Sequence, residues 1–148
     1  ALSKGELKLA SADYRDSPVL NYNMLDDEED MRRYKDGIRM LVSLENHPSM
    51  KEIIESRPYL LDTDLESDEA LENWIRKNVG TGHHISCTAK MGPATDPMAV
   101  TNQYGKVHGF EGLRLADASV MPECVRANIN VTVMVIGERI ADFIKQGH

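Results

Sequence analysis

The sequence predicts an α+β chain, and three observations carry that prediction. Residues near the start alternate apolar and polar, three later segments repeat apolar residues at helical spacing, and a glycine-punctuated stretch with neither period lies between the last two. Its 148 residues, 41% hydrophobic and 28% charged, have the size and composition of one globular domain that buries about 70% of its unfolded surface.

The elements follow in order. In residues 3 to 13, SKGELKLASAD, Leu7 and Leu9 share one face with Glu6 and Lys8 opposite, the period of a half-buried strand. Pro18 and Asn21 mark a loop. From Asp26 the apolar residues Met31, Tyr34, Ile38, Leu41 and Val42 recur at helical spacing behind an acidic start, where the helix dipole favours negative charge. Pro48 ends this helix and begins a short second one with Met50, Ile53 and Ile54 inward, stopped before Pro58. Ser67 caps a third, with Leu71, Trp74 and Ile75 inward, ending near Gly80. Glycines 80, 82, 92, 105, 109 and 112 then punctuate a loop-and-strand region. Within it Leu113 to Asp117 reads as a short strand leading into a turn at Ala118 to Pro122. Asn130 to Lys145 reads as a helix capped by Asn130 and buried nearly all round in its first two turns. The β-branched residues between Val131 and Ile136 keep a strand open there.

Composition excludes several functions. No uninterrupted apolar stretch reaches the roughly 20 residues that span a bilayer, and the opening residues are too polar for a signal peptide. A net charge of -7, from 24 acidic and 17 basic residues, repels phosphate backbones, so nucleic acid is no expected partner. Cys87 and Cys124 lie too far apart for a zinc ribbon and alone imply no disulfide framework, which favours a reducing, cytoplasmic setting. The run Asp62 to Glu69 imitates a calcium loop, but Ser67 stands where the loop needs glycine and Asn73 where it needs the bidentate Glu. His83, His84, Cys87, His108 and Cys124 match no zinc spacing. Gly80-Thr81-Gly82 is no dinucleotide turn, because Ile85 takes the third glycine's place.

What remains is a set of residues fit for acid–base work. A neutral imidazole from His83 or His84, after a glycine hinge, is a general-base candidate near physiological pH, against the plainer reading of a hydrogen-bonded loop residue. Asn128 and Asn130 read equally as residues of a helix start, and Asp117 to Ser119 as a turn.

The order of the pieces is more specific than any one of them. His84, Thr88, Met91-Gly92, Val107-His108-Gly109, the block GLRLADASVMP from Gly112 to Pro122, Asn128-Ile129-Asn130 and a helix bearing GERIAD from Gly137 together resemble the carboxyl-terminal region of the glucose-methanol-choline (GMC) oxidoreductases. The opening strand and loop resemble part of that family's substrate-side domain, so the resemblance runs over essentially the whole chain.

The resemblance implies an FAD enzyme that oxidises a small alcohol, passing hydride to the flavin. It selects His84 over His83 as the base and puts Asn128 at the second active-site position, as in the choline branch. It assigns Asp117 and Ala118 to the flavin's ribityl and phosphate portion, and the helix start Asn130, Val131 and Thr132 to its pyrimidine edge. It divides the chain into residues 1–79, a mixed sheet and helices of the substrate-side domain, and residues 80–148, the active-site loop with the strand and helix that complete the FAD-binding domain. No glycine-rich dinucleotide segment occurs in the sequence, and the chain opens on Ala1. The expectation is therefore the carboxyl-terminal piece of a split enzyme whose amino-terminal chain supplies that segment, the alternative being an isolated fragment. A hydroxynitrile lyase of the same family and a non-catalytic interaction module are the rival functions.

Overall fold

A two-stranded antiparallel hairpin opens the chain: β1 (Glu6–Lys8) pairs with β2 (Val19–Asn21), Glu6 opposite Asn21 and Lys8 opposite Val19. The computed structural model describes residues 1–148 as two compact units, Ala1–Gly80 and Thr81–His148. The expected mixed sheet is thus a single antiparallel pair, and the expected loop at Pro18 to Asn21 contains its second strand. Pro18 sits just before that strand, where its missing N–H costs the ladder nothing. Both strands are exposed along their length, Leu7 at 48% and Leu9, past the strand, at 82%. The half-buried face read from the alternation is not covered by this chain.

α1 (Glu28–Glu45) begins as its acidic start dictates. Asp27 caps it by accepting the Glu29 N–H at 2.9 Å, with Glu28, Glu29 and Asp30 in the first turn. Its inner line runs through Met31, Ile38 and Val42, while Tyr34 and Leu41 are exposed, contrary to expectation. The place between Met31 and Ile38 is taken by Lys35, whose stem lies along the helix pair while its ammonium reaches Asp68 at 3.1 Å and Glu72 at 3.8 Å.

α2 (Pro48–Lys51) carries Pro48 in its first turn and ends sooner than the spacing predicts, leaving Met50 and Ile53 exposed. Asp62–Leu65 forms a 3-10 turn, and Ser67 then caps α3 (Asp68–Asn78) by accepting the Ala70 N–H at 3.0 Å. Leu71 and Ile75 of α3 close the core of this unit with Leu25, Met31 and Leu60. Trp74 lies at its edge, its indole N–H donating to the Tyr59 carbonyl at 2.8 Å.

The second unit is mostly loop, as the glycines foretell. Leu113 to Asp117 does not form the expected strand. Only Arg114 bridges to Lys106, and the pairing stops at the turn on Gly105. A 3-10 turn, Ala118–Val120, follows, capped by Asp117.

α4 (Asn130–Lys145) settles the choice between helix and strand in favour of helix. Two expectations about it are corrected. Ile129, not Asn130, stands at the cap position, and the Asn130 N–H is taken instead by Oδ1 of Asn128 at 2.9 Å. The helix is also far from buried all round: it meets its unit along Ile129, Val133, Ile136 and Ile140, and leaves Val131, Met134 and Val135 61 to 70% exposed. Val120, Met121, Ile129 and Ile140 are the buried apolar residues here, beside the fully buried Thr101.

Candidate active site

The first turn of α4 and the loop that follows Gly82 converge in the second unit. Three backbone bonds fasten the loop: Cys87 N–H to Ala118 O at 3.1 Å, Ala89 N–H to Ser119 O at 2.9 Å and Met91 N–H to Val120 O at 2.8 Å. Asp117 in turn fixes the Ala118–Val120 turn, its Oδ1 accepting both the N–H of Ser119, at 2.8 Å, and the Ser119 hydroxyl. A capped turn therefore carries the loop.

Two non-glycine residues of that loop are left-handed, His83 at φ +60° and Cys87 at φ +68°. Each such residue costs about 1–2 kcal/mol, and the pair brackets His84. The turn at His83 allows two consecutive imidazoles to line one cleft, where an extended chain would send them to opposite sides. Thr81 Oγ1 supports it by accepting the His83 N–H at 3.0 Å.

The cleft has a volume of about 680 Å³. Of the residues expected from the sequence, His83, His84, Asp117, Ala118, Asn128 and Asn130 line it. Val131 and Thr132 do not, although they follow at the same helix start. Ser119, weighed in the sequence only as part of a turn, also lines it, and Ile85, Ile129 and Val133 complete the lining without a signal in the sequence, because their presence depends on how the backbone turns. At the centre, Nδ2 of Asn128 stands 3.0 Å from Nε2 of His84. Since Oδ1 of Asn128 holds the Asn130 N–H, the amide end faces the ring.

Other candidates go elsewhere. His108 turns away to a backbone carbonyl, with Nε2 3.1 Å from Gly92 O. Cys87 donates to Ser86 Oγ at 3.3 Å and Cys124 is exposed. No three His, Cys, Asp or Glu side chains converge as metal ligands.

Beyond the cleft lining, α4 offers unpaired donors. Its first turn has no side-chain cap apart from the bond at Asn130, and the first intrahelical bond to the cap residue comes from Val133. The N–H groups of Val131 and Thr132 are thus open to an acceptor, at the positive end of the helix dipole.

Comparison with known proteins decides what kind of chain builds this site: the family model described as GMC oxidoreductase matches residues 1–137. The chain belongs to the GMC oxidoreductase family. An oxygen-dependent choline dehydrogenase of Pectobacterium carotovorum is 36% identical over 146 residues, covering 99% of this chain and 26% of that protein. One from Pseudomonas aeruginosa is 38% identical over 143 residues, 97% and 25% of the two chains. This GMC chain thus spans about a quarter of the length of the curated relatives it matches. Among solved structures, a formate oxidase of Aspergillus oryzae superposes with a TM-score of 0.87 at 32% identity, covering 98% of this chain and 25% of that one. An FAD-dependent oxidoreductase from Chaetomium thermophilum gives 0.86 at 30%, covering 97% and 25%. No helix of this GMC chain is long and apolar enough to cross a membrane.

Proposed function

We propose that this chain is the carboxyl-terminal part of an FAD-dependent GMC oxidoreductase that oxidises an alcohol, His84 acting as base and Asn128 as hydrogen-bond donor. The observation that carries the proposal is the 3.0 Å approach of Asn128 Nδ2 to His84 Nε2 in a cleft whose other lining mixes polar residues, His83, Asp117, Ser119 and Asn130, with apolar ones. A hydroxyl gives up its carbon-bound hydrogen as hydride only once its proton is shared with a base, and a positioned imidazole contributes about 10²- to 10⁴-fold. The carboxamide stabilises the oxygen without competing for its proton.

The residues present fit a flavin nucleotide. The open N–H groups of Val131 and Thr132 suit the electron-rich pyrimidine edge, where a helix start favours negative charge. Asp117 commits Oδ1 to Ser119, which leaves Oδ2 to accept from a ribityl hydroxyl, and Ala118 gives the chain room to pass close by. When bound, the flavin supplies the hydride acceptor. The remaining steps belong to this chain: Asn128 orients the substrate oxygen, His84 holds its proton at Nε2, and Ile85, Ile129 and Val133 supply the apolar part of the lining. Asn130 supports Asn128 through its backbone N–H.

On this reading residues 1–79 belong to the substrate-side domain and residues 80–148 to the flavin domain. The dinucleotide segment comes from an amino-terminal chain of the same enzyme. The likeness to choline dehydrogenases supports a small alcohol of that branch as substrate.

The test uses the flavin-loaded enzyme. Anaerobic alcohol should bleach the flavin absorbance, and His84→Ala should slow that bleaching by about 10²- to 10⁴-fold with the flavin still bound. Unchanged bleaching in the variant refutes the role of His84. Turnover of a cyanohydrin without bleaching selects the lyase, and a chain found without flavin or turnover selects the interaction module.

A further inference from the structure

Asn128 stands between two partners of unequal freedom. Its Oδ1 accepts the backbone N–H of Asn130 at 2.9 Å, and its Nδ2 lies 3.0 Å from His84 Nε2. A carboxamide has one accepting end and one donating end, and a backbone N–H can only donate. The Asn130 amide therefore decides which end is which, because a turned-over carboxamide would set NH₂ against N–H. With Oδ1 taken, only hydrogens remain toward the ring, so Nε2 must accept. A neutral imidazole that accepts at Nε2 carries its proton on Nδ1.

We propose that the backbone N–H of Asn130 is a positioning group for His84: acting through the Asn128 carboxamide, it fixes the ring in the Nδ1–H tautomer, with the Nε2 lone pair presented to the cleft. The arrangement is built into the helix start. Asn130 is the first residue of α4, its N–H has no intrahelical partner, and an Asn two residues earlier satisfies it by a local turn. One bond both caps the helix and sets the polarity of the site.

The bound state has a corollary, which rests on the alcohol-oxidation reading above. The Asn128–His84 bond must open for a substrate to reach Nε2, and the group that replaces it has to donate to Nε2 and accept from Nδ2 with a single atom. A hydroxyl does both, whereas an ether oxygen only accepts and an ammonium only donates.

The experiment needs no substrate. The flavin-loaded enzyme containing this chain is prepared with ¹⁵N-labelled histidine, and the His84 ring resonances are identified by their loss in His84→Gln. The expected result in the neutral ring is a protonated Nδ1 and an unprotonated Nε2, and a proton on Nε2 overturns the proposal. Asn128→Asp keeps an oxygen for the Asn130 N–H but turns a carboxylate oxygen toward the ring. The neutral ring should then donate at Nε2 and leave Nδ1 unprotonated, because a carboxylate oxygen can only accept. Absence of that reversal also overturns it. If the Nδ1–H tautomer holds while His84→Ala leaves bleaching unchanged, only the catalytic reading fails.

Discussion

Replacing Gly105 by alanine should damage the second unit more than its small size suggests. Gly105 has φ +71°, and a Cβ there would stand 2.5 Å from Leu115 O and 2.7 Å from Cδ1 of Ile140. Neither neighbour can retreat cheaply. The Gly105 carbonyl accepts the Leu115 N–H at 2.9 Å, so the two backbones are tied, and Ile140 is buried at 5% exposure. The left-handed conformation costs an L-residue about 1–2 kcal/mol, and forcing one extra carbon into packed surroundings about 1–3 kcal/mol, giving about 2–5 kcal/mol in all. Gly109 supplies the control: its φ is +78°, but nothing lies within 4 Å of its Cβ position. Gly109→Ala should therefore lose only the conformational part, about 1–2 kcal/mol. Urea midpoints of the two variants, compared at equal slope, separate conformation from collision. Equal losses, or a neutral Gly105→Ala, would refute the packing argument.

Three further outcomes are expected. Ser67→Ala removes the cap of α3 and should cost about 0.5–2 kcal/mol, read by the same denaturant titration. Burial pushes the Asp30 carboxyl up, but hydrogen bonds from the Ser3 hydroxyl and N–H and from the Leu2 N–H outweigh it and bring it down to about 2. A carboxyl held below its unfolded value of about 3.9 stabilises the fold fully above that pH, and the gain is lost as pH falls from about 4 toward 2. Acid titrations of the native protein and of Asp30→Asn should show a larger loss over this range in the native protein, the remainder coming from other lowered carboxyls such as Glu29. Asp117→Ala releases the turn that carries the loop of His84, and should weaken flavin retention on gel filtration before it changes helix content by circular dichroism.

The helices were legible chiefly by their period. The acidic run from Asp26 and the cap at Ser67 mark two starts, the cap read at Asn130 does not hold, and the line Met31, Ile38, Val42 faces inward as apolar spacing demands. Lys35 was not legible: a charged residue at an inward position shows its role only when Asp68 and Glu72 are seen beside it. Strand β2 is three residues long behind a proline, too short for a period of two to register. The apolar stretch from Val131 to Ile136 makes the opposite error instructive. Hydropathy states that a surface resists water, but not that its covering lies in the same chain, and Val131, Met134 and Val135 remain exposed. In the cleft, His84 and Asn128 were recognisable by family resemblance. Their 3.0 Å meeting was not, since spacing along the chain says nothing of it. Ile85 and Val133 enter only through the left-handed turn at His83 and the packing of α4.

The separation of the contacts in the cleft governs when it comes into being. His84 and Asn128 lie 44 positions apart in the chain, and the backbone ties from Cys87, Ala89 and Met91 to the Ala118–Val120 turn close loops of about thirty residues. The backbone bonds of helices α1, α3 and α4 are local and form on a microsecond scale, although packing is what makes such short helices persist. The loop closures carry an entropy cost that must be met before any of their hydrogen bonds can repay it. During refolding, helical dichroism should therefore return ahead of the native cleft, before His84 and Asn128 meet.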